Sequence, residues 1–123
     1  MKAKTLKAVA IYPHEPAKEI EIENTLEGLQ AFVEGWIEIT YPFDDFVCVV
    51  GNEEAKLIGM EGTAIINGNI YAGPLLIVGD DCGGDFCDLT PKQIAYYTNR
   101  FKTPADISQD EVQGDIGFEI WAM

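Results

Sequence analysis

Three segments run on without a break: Lys18-Glu-Ile-Glu-Ile-Glu23, Asn24-Thr-Leu-Glu-Gly-Leu-Gln-Ala-Phe-Val-Glu-Gly35 and Trp36-Ile-Glu-Ile-Thr-Tyr41. Their periods decide the fold class. The first alternates strictly, with Ile20 and Ile22 inward and Glu19, Glu21 and Glu23 outward, as a half-buried antiparallel strand does. The second switches to helical spacing and sets Leu26, Leu29, Phe32 and Val33 on one face. Asn24 is read as its cap, with Glu27 three residues later reaching back, and Gly35 as the left-handed residue that ends it. The third returns to alternation. Strand, helix and strand in so short a run give an α+β chain.

Outward from this centre the pattern repeats. Leu6 to Tyr12 reads as a first strand and the hairpin partner of 18–23. Phe46-Val-Cys-Val-Val50 is continuous enough to lie centrally in a sheet. Gly51-Asn-Glu-Glu54 is read as a turn and Lys56-Leu-Ile-Gly59 as a short extension. Asn67-Gly68 joins Ala64–Ile66 to Asn69–Tyr71 as a two-residue hairpin, because both positions accept a positive φ. Pro74 to Val78 is a further buried strand. Thr90 caps a second helix with Pro91 at its first position, and Ile94, Tyr97 and Phe101 share one side. Ser108 to Glu111 starts one helical turn, and Ile116 to Trp121 alternates as a last strand. The expectation is a single domain over 1–123, with a mostly antiparallel or mixed sheet of about seven short strands and two helices of about ten residues. Residues 102–123 read as an acidic C-terminal extension.

Charge narrows the partners. The 123 residues carry a formal net charge of −13, yet 47% are hydrophobic, so an ordinary core lies beneath an acidic shell. From Asp44 to Asp88 there are nine carboxylates and one base, Lys56; from Thr103 to Met123 there are five carboxylates and no base. Such a surface repels nucleic-acid backbones and membrane headgroups and attracts basic proteins. No apolar run approaches the ~18 residues of a membrane helix, and no signal peptide is legible. Cys48, Cys82 and Cys87 fit no disulfide framework, so a reduced, cytoplasmic chain is the simplest reading.

Two polar clusters are the candidate binding residues. Asp80, Asp81 and Asp85, in a glycine-rich loop that ends at Asp88, offer clustered oxygens to a hard cation, but at a spacing unlike an EF-hand. Asn52, Glu53, Glu54 and Lys56 form the other. Both are also what solvated turns routinely carry. Cys82 and Cys87 with His14 fall short of the four ligands of a closed zinc site, and Cys48 reads as a small buried hydrophobe. A Cys–His pair has no local sequence in its favour, there is no Gly-x-Ser-x-Gly, and acid flanks Gly83-Gly84 where phosphate would sit. No catalytic residue, metal or cofactor is assigned. Trp36, Tyr96, Tyr97 and Trp121 could make contacts, though at these spacings aromatics are more often core.

Taken together, Asn24–Glu38, Asn52-Glu-Glu-Ala-Lys56 and Gly79-Asp-Asp-Cys-Gly-Gly-Asp-Phe-Cys-Asp-Leu-Thr90 running into Gln93 resemble the family called domain of unknown function 3846, over roughly residues 5–101. The resemblance implies a short cytosolic protein or module of bacterial, phage or mobile-element type, and carries no activity. The chain departs from the family in Ala55, where glycine is usual, which questions a tight turn there. It departs again in its acidic tail, about which the resemblance implies nothing.

Three readings follow. The first is a non-catalytic interaction module for a basic protein surface, one form of which imitates a nucleic acid's phosphate rows. The second is a small-ligand or metal-binding protein or enzyme. It requires the two polar clusters to lie at one edge of the sheet, where their carboxylates would converge. The third is a structural homo-oligomer that pairs through an edge strand, with 116–121 as the suspect.

Overall fold

Alternation and helical period map onto the elements with small shifts at their ends. The computed structural model describes residues 4–81 and 85–114. In order come β1 (Thr5–Ile11), β2 (Lys18–Glu23), α1 (Leu26–Val33), β3 (Ile37–Thr40), β4 (Val47–Asn52), β5 (Gly62–Ile66), β6 (Asn69–Ala72), β7 (Leu75–Asp80), β8 (Phe86–Cys87) and α2 (Pro91–Arg100). A further helical turn spans 109–114. The chain is α+β, with eight strands among the described residues where the sequence suggests about seven. The alternating segment 116–121 lies outside the described residues.

The main sheet has the order β2-β1-β7-β4-β3, with β8 added beside β7. Every pairing in it is antiparallel. The most apolar segments, β7 and β4, take the inner positions, and Ile77 sits opposite both Val9 and Val49. The glutamate-alternating β2 is one edge and the short β3 the other, so backbone groups open to solvent lie where charge or brevity discourages further pairing.

Both faces of the sheet are apolar. On one, Leu6, Ala8, Ala10, Cys48, Val50, Leu76 and Val78 pack under Leu29 and Val33 of α1. On the other, Val9, Ile11, Val47, Val49, Leu75 and Ile77 pack under Tyr97 of α2 and under Ala64 and Ile66 of the β5–β6 hairpin. That hairpin turns at Asn67 (φ 52°) and Gly68 (φ 80°), the two positive values Asn-Gly supplies cheaply. Its outer side forms a third cluster, in which Ala72 and Ala55 meet Ile107 and Val112. Residues 102–114 are thus packed through Ile107 and Val112.

Three local expectations are corrected. The cap of α1 is Thr25, whose hydroxyl accepts from the Gly28 N–H, and not Asn24. The left-handed residue after α1 is Glu34 (φ 64°), not Gly35. Leu26 is exposed, because α1 begins at the rim of the sheet, while Leu29 and Val33 face the core. At α2 the expected cap holds: Thr90 and Gln93 form a reciprocal capping box with Pro91 in the first turn.

Candidate functional site

Asn52 closes β4 and is buried. Its amide nitrogen donates to the carbonyls of Val33 at 3.0 Å and Glu34 at 3.3 Å, and its Oδ1 accepts from the Glu54 N–H at 2.7 Å. One side chain therefore satisfies the last carbonyls of α1, which no helix can bond internally, and shapes the turn that follows β4. Gly35 makes this possible: a Cβ there would stand 2.7 Å from the Asn52 amide nitrogen. Asn52 is a structural clasp. The turn beyond it runs over 53–59 instead of extending at Lys56, and leaves Leu57 and Ile58 exposed. Ala55 fits it without a positive φ and buries its methyl in the third cluster.

The second group lies elsewhere. Val47 pairs with Gly79 and Val50 with Leu76, so Asp80 falls beside Phe46, and its N–H donates to the Phe46 carbonyl at 2.9 Å. Asn52 is at the other end of β4, roughly 20 Å away at ~3.3 Å per residue. Glu53 and Glu54 therefore do not meet Asp80, Asp81 and Asp85. The convergence that a site shared by the two clusters requires is not what the register gives. Within the acidic loop, carboxylates bind backbone: Asp81 Oδ1 accepts from the Asp85 N–H and Asp88 Oδ1 from the Lys7 N–H. Among the described residues, no group of three or more His, Cys, Asp or Glu side chains is placed to hold a metal ion.

Cysteine chemistry is held back by surroundings. Cys48 is fully buried, and burial, then Asp80 and Cys87, push its thiol up to about 12. Cys87 is also raised, by burial and by Asp81, Asp80 and Asp88. Both stay protonated at neutral pH, the opposite of a poised nucleophile. His14 belongs to the β1–β2 turn and pairs with Glu61 at 3.3 Å, at the far end of the sheet from Cys87.

Two surfaces stand out instead, one on each face. The first follows from the brevity of α1. Eight residues make a helix ~12 Å long, and it crosses the sheet from the Glu23 end of β2 to the Asn52 end of β4. The corner beside Asp80 is left uncovered. Ile37 packs under α1; by alternation Ile39 and Tyr41 share its face, as Phe46 shares that of Cys48 and Val50. Tyr41 is 64% exposed and Phe46 70%. Slight desolvation, then Cys48 and Asp80 nearby, raise the Tyr41 hydroxyl. A shallow cavity of about 180 Å³ lined by Leu26, Ile37, Asp85 and Phe86 opens onto the same side.

The second surface is a cleft of about 810 Å³ between α2, the 42–45 turn and the tip of the β5–β6 hairpin. Asp45 organises it. Its Oδ2 accepts from the Tyr97 hydroxyl at 2.9 Å, and its Oδ1 from Gln93 Nε2 at 3.1 Å and the Phe46 N–H at 2.7 Å. Desolvation would raise this carboxyl, but the three hydrogen bonds outweigh it and hold it below its ordinary value. Burial, then the Asp45 bond and charge, raise Tyr97. Phe43 packs on Tyr97, Arg100 lies over the Phe43 ring at 4.8 Å, and Asn67 fastens the hairpin tip to the Pro42 carbonyl. Of the aromatics singled out in the sequence, Tyr97 is core, Trp36 and Tyr96 are exposed, and Trp121 lies outside the described residues.

Among proteins of known family, the model of the family described as Domain of unknown function (DUF3846) matches residues 6–102. The chain belongs to this family. No curated protein and no solved structure gives a match. No helix of the described residues is long and apolar enough to cross a membrane.

Proposed function

We propose that this member of the DUF3846 family is a non-catalytic interaction module, and that it binds a basic protein surface through the open corner of the α1 face. One observation carries the reading. Ile39, Tyr41 and Phe46 stand exposed on a face otherwise closed by α1, and Asp80 lies beside Tyr41 on that face. The turn bearing Asp44 and the loop bearing Asp81 and Asp85 leave β4 and β7 at the same end. Exposed aromatics rimmed by like charge suit a contact with an apolar centre and a steering border. The partner's matching segment is therefore apolar and lysine- or arginine-rich.

This mixed chemistry is favoured over phosphate imitation. The regular carboxylate row of the fold is Glu19, Glu21 and Glu23 on the edge strand β2, only three charges long. Lys7 also sits opposite Glu21 in the register.

The test is affinity capture from host lysate at low and high salt, comparing the native chain with a Tyr41→Ser/Phe46→Ser variant. A basic protein held at low salt, released at high salt and missed by the variant supports the reading. A partner held equally by the variant, or no basic partner at all, contradicts it. A dimer that persists at high salt would instead indicate pairing through an edge strand.

A further inference from the structure

The cleft on the α2 face has a different chemistry from the corner. Lys92, Tyr96 and Arg100 recur at every fourth residue of α2 and so form one stripe along its cleft-facing side, ~12 Å from end to end. The chain has eight basic residues against 21 acidic ones, and two of the eight line this cleft. Neither Lys92 nor Arg100 forms an ion pair among the described residues. In so acidic a chain, two cations lining one concavity are a local concentration of positive charge.

The other polar groups are already arranged. The Asp45 carboxylate has both oxygens engaged inside the protein. Gln93 accepts from the Thr90 N–H with Oε1 and gives one amide hydrogen to Asp45, so its second hydrogen is available. Arg100 rests against the Phe43 and Phe101 rings, at 4.8 and 5.5 Å, and its Nη1 donates to the Tyr96 hydroxyl at 3.5 Å. A guanidinium fixed in this way loses little further freedom on binding. Asp44 and Asp45 are both exposed and line the cleft, so its two carboxylates balance Lys92 and Arg100 where the rest of the chain is strongly acidic. What remains for a ligand is donor-rich and aromatic, in a volume that suits a small molecule.

We infer that this cleft binds a small molecule carrying a planar ring and an anionic group, with the ring against Tyr96 and the anion between Lys92 and Arg100. The long-range field of a chain at −13 opposes polyanions, so the ligand bears one or two charges and not a polyphosphate chain. A carboxylate and a phosphate monoester both satisfy this chemistry. The cleft lies on the other face of the sheet from the corner and shares the 42–45 turn with it, and its test does not use the partner proposed there.

The experiment is an amide chemical-shift titration of the full chain with phenyl phosphate and, separately, benzoate. Saturable shifts at Lys92, Gln93, Tyr96 and Arg100 are expected from at least one of them. The stronger probe names the headgroup. Inorganic phosphate and phenol, each carrying half of the recognised chemistry, should bind at least about tenfold more weakly. Arg100→Gln should weaken the better probe about tenfold or more. Lys92→Gln, at an exposed position where the fold is not at stake, should weaken it several-fold. The inference is overturned if neither probe gives saturable shifts at these residues, or if the Lys92→Gln chain binds as the native one does.

Discussion

The two faces of one sheet are finished in opposite ways. The α2 face is closed: a ten-residue helix, the β5–β6 hairpin and the Asp45 hydrogen bonds leave a cleft with fixed walls. The α1 face is half-closed: an eight-residue helix covers one diagonal and leaves apolar side chains standing at the Asp80 corner. The same alternating strands supply both faces, so the difference comes from what lies over them. A short cover anchored at its C-terminus by a single asparagine leaves room for a second protein. A longer cover tied down by Asp45 leaves room only for something small.

The sharpest way to break this contrast is at the clasp. Asn52→Ala strands two carbonyls of α1 and the Glu54 N–H, and should cost about 2–3 kcal/mol in urea unfolding. A loss below about 0.5 kcal/mol would mean that α1 is held by its apolar face alone. Gly35→Ala presses on the same amide and should cost about 1–2 kcal/mol by overpacking, read in the same assay.

On the other face, Tyr97→Phe removes the hydroxyl bonded to Asp45 and should cost about 1 kcal/mol at neutral pH. It should also flatten the pH profile at both limbs. The lowered Asp45 carboxyl contributes stability that is present above its ordinary value of 3.8 and is lost as pH falls below that value. The raised Tyr97 hydroxyl contributes stability that is present below 10.0 and is lost as pH rises beyond it. A native chain with no acid limb that Tyr97→Phe can flatten would remove Asp45 from its organising place. The smallest effect belongs to the corner. Phe46→Ser should change stability by no more than about 0.5 kcal/mol, since Phe46 already faces water. A larger loss would show that the corner is covered in solution.

Much of the fold was legible because periodicity is a property of neighbours in sequence. The switch from 18–23 to 24–35, the Asn67-Gly68 turn and the Thr90-Pro91 start each carry their own local chemistry. The ends of α1 mislead because a competing residue stands next door: Thr25 beside Asn24, and Glu34 beside Gly35. In the second case the glycine was needed for space against Asn52, a contact 17 residues distant in sequence. The sites were hardest to see. Asn52 looked like a polar turn residue, and only the position of α1 reveals it as a clasp. The cleft joins a turn at 42–45 to α2 across 48 residues. Its one sequence signal was the Lys92, Tyr96, Arg100 stripe opposite the apolar side of that helix. Tyr41 and Phe46 read as ends of strands, and their exposure follows from the length of α1, which no local pattern near them records.

The most direct test of the central claim is an amide hydrogen-exchange footprint of the chain in complex with the basic partner it captures. Binding through the open corner predicts slowed exchange over 37–47, 80–81 and 85–86, with 90–100 unchanged. Protection confined to 90–100, with the corner exchanging as in the free chain, would contradict it.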